Sequence, residues 1–351
     1  MGRAPPFFYA EKKVNTKVNF FQRNIFFITI FASKMKQLLI ILMILCSAAG
    51  ASADNYFSVM TYNVENLFDT IHDAEKRDME FIPESERHWT GFRLRKKMKD
   101  ICKVIAGADT VEACPVIGLC EVENDNVMRQ LTEHTPLKVQ GYKYVMTNSE
   151  DPRGIDVALL YKPDRFRLIR HKSIRAQTSV PTRDVLYVCG TMDGKDTLDI
   201  FLLHLPSKLG KEVAARNRKI VTMETLVRAD SVFRKRQKAT VIIMGDFNDE
   251  LREEQMEPYR RYGFLDLTEG LETGSYKYKG EWSFIDHIML RTSTSRETKA
   301  RVVTMPFLLE KDKKEGGKMP RRMYIGPKYH GGVSDHLPVI VRLDCSDEKN
   351  Q

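Results

Sequence analysis

Eight short apolar runs set the tightest limit on what this chain can fold into. They lie at 57–64, 116–122, 155–161, 186–192, 198–205, 240–245, 284–290 and 337–343. Their length suits strands, and many are apolar enough throughout to be covered on both faces of a sheet. Two intervening stretches carry a helical stripe instead. Leu94, Met98, Ile101 and Ile105 step by four, three and four, and Val213, Ile220, Met223 and Val227 by seven, three and four. Strands interleaved with a few helices predict a layered α/β domain. The runs at 186–192 and 198–205 follow each other with no helix between, so antiparallel pairs are expected beside parallel ones and a purely parallel doubly wound sheet is not. With no internal repeat and no low-complexity linker, residues 54–351 are expected to form a single domain. Two long loops are expected, at 69–92 and 305–332; the second carries seven Lys or Arg against three acids, with Tyr324 and Tyr329 among them.

Residues 1–53 read as a leader. From Met35 the sequence MKQLLIILMILCSAAGASADN has a lysine-bearing start, an apolar centre from Leu38 to Leu45 and a small-residue exit at Ala51, Ser52 and Ala53, the layout of a secretory signal peptide. The apolar centre is well short of the ~20 residues that span a bilayer, so no permanent membrane anchor is expected. Bulky Leu45 disfavours a lipoprotein signal through Cys46. A complete signal beginning at Met35 makes residues 1–34 an expected mis-assigned start, and the mature protein is expected to be exported, periplasmic or secreted. The leader also changes the meaning of the charge. Residues 1–53 hold seven basic residues and one acid, a net +6, so the remainder carries only +3 of the chain's +9. Net charge therefore gives no footprint for nucleic acid, and any such footprint must be local. Past the leader five cysteines remain, an odd number without C-x-x-C spacing, which excludes a disulfide framework and a zinc knuckle.

Chemistry gathers where the apolar runs end. The endings are Asn63 and Glu65 in MTYNVEN, Glu121 in IGLCEVEN, Asp156 in RGIDVALLY, His204 in IFLLHLPSK, Asp246 and Asn248 in MGDFND, Asp286 and His287 in FIDHIML, and Asp335 and His336 in VSDHLPV. Loops at strand ends are where α/β proteins build sites. Each ending has an ordinary reading as a turn or cap, since Asp and Asn start turns for local hydrogen-bonding reasons. Glu121 has the least comfortable one, because a carboxylate closing an apolar run costs energy unless it is paired or holds an ion. Taken together, carboxylates and amides are hard donors for Mg²⁺, Mn²⁺ or Ca²⁺, and two histidines can supply protons or charge to a phosphoryl oxygen. No G-x-S-x-G is present and Cys120 has no paired base in sequence, which points to direct attack by water.

In this order the motifs resemble those of the endonuclease/exonuclease/phosphatase superfamily, the deoxyribonuclease I-like proteins: TYNVEN, the glutamate of GLCEVEN, HLPSK, GDFN and SDH match in turn, from Phe57 to Leu343. The resemblance implies a four-layer α/β sandwich, two mixed β-sheets packed face to face and flanked by helices. It implies Glu121 as the main metal ligand, with Asn63 and Asp335 nearby, and Glu65 where some members place a second acid. It gives Asp246 the attacking water, Asn248 the water or the phosphate, His204 and His336 the charge on the phosphoryl oxygens, and Asp286 the orientation of a histidine. Arg153 and Asp156 fall near a supporting acid of the family. A nuclease on DNA or RNA, working as a monomer, is expected over a phosphatase or phosphodiesterase acting on a lipid or small phosphoester, because GDFNDE and WSFIDHI depart from the inositol phosphatase pattern. A catalytically idle binding module of the same fold is the contrasting class.

Overall fold

All eight apolar runs are strands. The computed structural model describes residues 56–109, 112–294 and 298–345, so the leader reading of 1–53 falls outside the described residues. In chain order the first strands are β1 (Tyr56–Leu67), β2 (Val116–Val122), β3 (Lys143–Met146), β4 (Asp156–Tyr161) and β5 (Phe166–Ile174). Then come β6 (Val185–Met192), β7 (Asp196–His204), β8 (Thr240–Asp246) and β9 (Leu265–Asp266). A hairpin of β10 (Tyr276–Tyr278) and β11 (Glu281–Ser283) precedes β12 (Asp286–Thr292) and β13 (Thr298–Val302). Two more hairpins, β14 (Leu309–Lys311) with β15 (Lys318–Pro320) and β16 (Tyr324–Ile325) with β17 (Lys328–Tyr329), lead to β18 (Val339–Asp344).

Two six-stranded sheets result, ordered β13-β18-β1-β2-β4-β3 and β5-β6-β7-β8-β12-β9. Both are mixed: β1 with β2 and β7 with β8 are parallel, and the other pairs are antiparallel. The sheets pack face to face through Val59, Val116 and Leu159 from one and Ile200, Leu202, Met244 and Ile288 from the other. They approach closely at Gly118, where a Cβ would lie 2.6 Å from Leu202 Cδ1. The outer face of the first sheet is covered by the helix Gly91–Ala108, which buries Leu94, Met98, Ile101 and Ile105 as its periodicity predicts. The second sheet is covered by the helices Lys211–Arg234 and Glu253–Arg261. Helix, sheet, sheet and helix make the four layers expected, and double coverage explains why strands such as β6 and β8 are buried along their whole length.

Two expectations are corrected. The helix Lys211–Arg234 exists, but it buries Ala214, Asn217, Val221, Leu226 and Ala229, while Val213 and Val227 are exposed. Small residues let this helix lie close on the sheet, and the larger side chains of the expected stripe ride at its flank. The stretch 305–332 is no open loop: it contains the hairpins β14–β15 and β16–β17. It also interlocks with 69–92, since Arg87 lies between the rings of Phe81 and Tyr324, 5.1 and 5.3 Å from their centres. Cys102, Cys114, Cys120 and Cys189 are buried free thiols. No helix among the described residues is long and apolar enough to cross a membrane.

Candidate active site

Register assembles the centre of the site. The parallel pair β7–β8 sets His204 beside Asp246, and the antiparallel pair β8–β12 sets Asp286 on the other side of Asp246. In the other sheet β1 and β2 run parallel with Asn63 beside Cys120, after which the register breaks. Glu121 sits in that break, unpaired between Cys120 and Val122, with φ +64°. Glu65, Asn66 and Asn248 also have φ near +50°. Non-glycine residues in the left-handed region are uncommon, and such strain gathers at sites that the surrounding fold over-determines. Gly245 completes the geometry: at φ +138°, a Cβ there would lie 1.8 Å from Leu203 O, so only glycine lets β8 pass β7 and present Asp246.

These strand ends open into a cleft of about 690 Å³, lined among others by Glu65, Glu121, His204, Asp246, Asn248, Asp335 and His336. Asp246 is its buried floor. Asn63 Nδ2 donates to Asp246 Oδ2 at 2.9 Å, the Asn248 amide donates to Oδ1 at 2.8 Å, and His204 Nε2 stands 3.5 Å from Oδ2. Asn248 Nδ2 donates to Leu205 O at 3.0 Å, which leaves its amide oxygen as the free atom. His336 Nδ1 pairs with Asp286 Oδ2 at 2.7 Å, while its Nε2 lies 3.9 Å from Asp246 Oδ2. Asp286 thus stands behind His336 and orients it. The Ser334 hydroxyl donates to Asn63 O at 2.7 Å and fixes the Asp335-His336 loop to β1.

Burial and neighbouring charge drive the two histidines apart. Burial opposes charge on His336, yet Asp286, Asp246 and Asp335 hold its imidazolium well above the ordinary value of 6.5. His204 is pushed well below 6.5 by burial, then by Arg183 and Arg153, so it is the neutral member. Burial lifts Asp246 to about 7 against the pull of His336, with Asp286 adding to the rise. One charged histidine, one neutral one and a carboxylate poised near neutrality form a set that divides proton donation from proton acceptance.

Beside this group lies a second cluster of acids. Glu65, Glu121 and Asp335 all line the cleft. Glu121 Oε2 accepts from the Asn66 amide at 2.8 Å, Glu65 Oε2 from the Met323 amide at 2.7 Å, and Asp335 Oδ2 from Arg322 at 2.7 Å. Burial first, and then the charge of Asp335, raise Glu65 to about 8 against the pull of Lys97 and Arg322. Lys97, buried beneath them with Nζ on Val333 O at 2.8 Å, compensates in part and is itself lowered to about 8 by its burial. Arg322 on Asp335 and Arg153 Nη2, 3.9 Å from Glu121 Oε2, add further positive charge, so the fit to a divalent cation rests on hard oxygen donors open to a cleft. Among the described residues, the one trio whose ligand atoms lie within 4.8 Å of one another is Asp246, Asp286 and His336, not these three acids. That trio spends the Asp286 oxygen and His336 Nδ1 on their mutual hydrogen bond, so it suits proton handling better than ion binding.

The structure thus brings together every expected site residue except Asp156. That carboxylate is buried away from the cleft, accepting from Thr147 Oγ1 and the Ser149 amide, so it shapes the turn before Arg153. Arg153 does reach the cleft, bonded to Asn66 Oδ1 at 2.7 Å. Asn63 donates its side-chain N–H to Asp246 and accepts from the Glu65 amide at 2.9 Å through Oδ1. Sequence reasoning missed Arg87, and it pointed to Tyr276 and Arg322 only through the aromatic and lysine alternation of 273–282 and the basic, tyrosine-bearing character of 305–332; all three line the cleft.

A model of the endonuclease/exonuclease/phosphatase family matches residues 58–345. No curated protein matches the chain. Among solved structures, an endonuclease/exonuclease/phosphatase family protein from Bacteroides thetaiotaomicron is 17% identical with a TM-score of 0.56, over 82% of this chain and 97% of that one. TDP2 from D. rerio, complexed with a single-strand DNA product, is 17% identical with a TM-score of 0.54, over 83% and 99%. A mannosyl-6-phosphatase from B. thetaiotaomicron is 18% identical with a TM-score of 0.53, over 82% and 99%. At such identities the likeness speaks for the fold, the deoxyribonuclease I-like α/β sandwich.

Proposed function

The chain belongs to the endonuclease/exonuclease/phosphatase family, a family of phosphoesterases, and from that premise we propose that it is a divalent-metal-dependent phosphodiesterase that cleaves nucleic acid with water as the nucleophile. The observation that carries this reading is Asp246 on the cleft floor, flanked in register by His204 and Asp286 and backed by Asn63. Asp246, raised to about 7, takes a proton from water in the cleft. Asn248, its Nδ2 spent on Leu205 O, turns its oxygen to that water. The His336 imidazolium, kept charged by Asp286, neutralises charge developing on the phosphoryl oxygens and can protonate the leaving oxygen. Glu121, Glu65 and Asp335 are the residues to hold Mg²⁺ or Mn²⁺, with Ca²⁺ an alternative; a bound ion supplies further charge neutralisation at the phosphate.

Three supports favour nucleic acid. Arg87, Arg153, Lys208 and Arg322 ring the cleft, Tyr276, Tyr278 and Tyr324 offer aromatic surface beside them, and the D. rerio neighbour carries a single-strand DNA product. On the leader sequence, we further take the enzyme to act after export. The test is a panel of DNA, RNA, sphingomyelin, phosphoinositides, sugar phosphates and a chromogenic phosphodiester, each with Mn²⁺ and with EDTA. Metal-dependent cleavage of polynucleotide is expected, lowered ~10²–10⁴-fold in kcat by Asp246→Asn with the fold retained. Faster turnover of a lipid or sugar phosphate overturns the substrate class, and no turnover of any member supports a binding module.

A further inference from the structure

The chemistry in the cleft makes no use of the lysines between 277 and 318. Hairpin β10–β11 is a wall with two working sides. Alternation along the strand gives Tyr276 and Tyr278 to the cleft and Lys277 to a second groove of about 370 Å³, bounded across from it by hairpin β14–β15. The acids of that groove are spent. Asp312 binds Lys277 Nζ at 3.0 Å, Glu310 binds His330 Nε2 at 2.6 Å, and Glu315 binds Lys314 Nζ at 2.9 Å. Lys277 also donates to Gly316 O at 2.8 Å, which ties the two hairpins into one wall. Lys279, Lys311 and Lys313 are different: they are exposed in the groove and have no acidic partner among the described residues. Tyr278, 61% exposed, stands at the lip between cleft and groove with Lys279 Nζ 5.3 Å from its ring centre.

We propose that this groove carries the backbone of single-stranded nucleic acid away from the cleft, a base stacking on Tyr278 at the lip and the following phosphates lying against Lys279, Lys311 and Lys313. The proposal rests on the nucleic-acid reading above. An exposed aromatic next to unpaired lysines is a platform that binds any sequence, because every base offers a π-face and every linkage a charge. A small phosphoester fills the cleft alone and never reaches the groove.

The test compares wild type with the triple variant Lys279→Ala, Lys311→Ala, Lys313→Ala on single-stranded oligonucleotides of about 2 to 16 residues and on a chromogenic phosphodiester, in Mn²⁺. In wild type KM falls with length. In the variant that dependence disappears, KM for the longest strand rises by about tenfold or more, and kcat changes by less than about twofold. The slope of log affinity against log salt becomes shallower by roughly 2, at about 0.7 per lost phosphate contact. Turnover of the chromogenic ester is unchanged. Equal KM for long strands in variant and wild type overturns the groove alone. Wild type that hydrolyses the chromogenic ester but no oligonucleotide overturns the groove together with the nucleic-acid reading. Loss of binding to phosphatidylserine vesicles, with oligonucleotide KM unchanged, assigns the lysines to a membrane and also overturns it.

Discussion

Asp286 sets the acid–base balance of the site although it never faces the cleft. It holds His336 charged and adds to the rise of Asp246. The folded value of His336 lies above its ordinary 6.5, so this pairing stabilises the fold fully below that pH and loses its contribution as pH rises through the folded value. The proposed mechanism needs Asp246 ionised and His336 protonated, which gives a bell whose acid limb falls near pH 7. Asp286→Asn removes one negative charge from both groups, so both limbs are expected to move to lower pH, by about one unit or more; kcat/KM against pH at saturating metal measures it, and limbs that stay in place break the assignment. Asp286 was readable in the sequence only through its place in the ordered motifs, whereas Glu121 stood out by itself because a carboxylate closing an apolar run has no comfortable place without a partner. Lys97 was not read, although its position carries a signal: it falls three residues after Leu94 and four before Ile101, on the apolar face of its helix. A lysine on a buried stripe needs an acid beneath it, and here that need is met by Glu65, Glu121 and Asp335.

At the scale of elements, register does the work that no single residue can. His204, Asp246 and Asp286 meet because three neighbouring strands end level, and a slip of one residue would turn each side chain to the opposite face. Gly245 protects that arrangement. Gly245→Ala is expected to destabilise the protein by more than ~4 kcal/mol, since the new Cβ meets backbone and not a movable side chain; the urea midpoint of folding measures it, and a loss under about 1 kcal/mol would contradict the close approach. Strand positions were legible from apolar length because both sheet faces are covered. The face of helix Lys211–Arg234 was not, because close packing selects Ala214, Asn217 and Ala229 over the larger residues that a hydrophobic stripe picks out. The hairpins within 305–332 were equally hidden, their strands of two or three residues being too short to show a period.

Across the whole molecule, two sheets with different strand orders deliver their ends to one rim. The first sheet brings the carboxylates Glu65 and Glu121, and the second brings His204, Asp246 and Asp286. The SDH loop before β18 carries Asp335 and His336 to the join. The sequence pattern implied layers but not the strand order, which depends on pairings between residues as distant as Tyr56 and Asp344. On the proposed function, this rim hydrolyses phosphodiesters with an ion held by Glu65, Glu121 and Asp335. Turnover of a chromogenic phosphodiester, followed while Mn²⁺ is titrated into EDTA-stripped protein, tests it most directly, with Glu121→Gln beside wild type. Expected are no turnover without metal, saturation as metal is added, and a half-maximum at about tenfold or more metal in Glu121→Gln; undiminished turnover in the stripped protein, or identical metal curves for the two, would rule that ion site out.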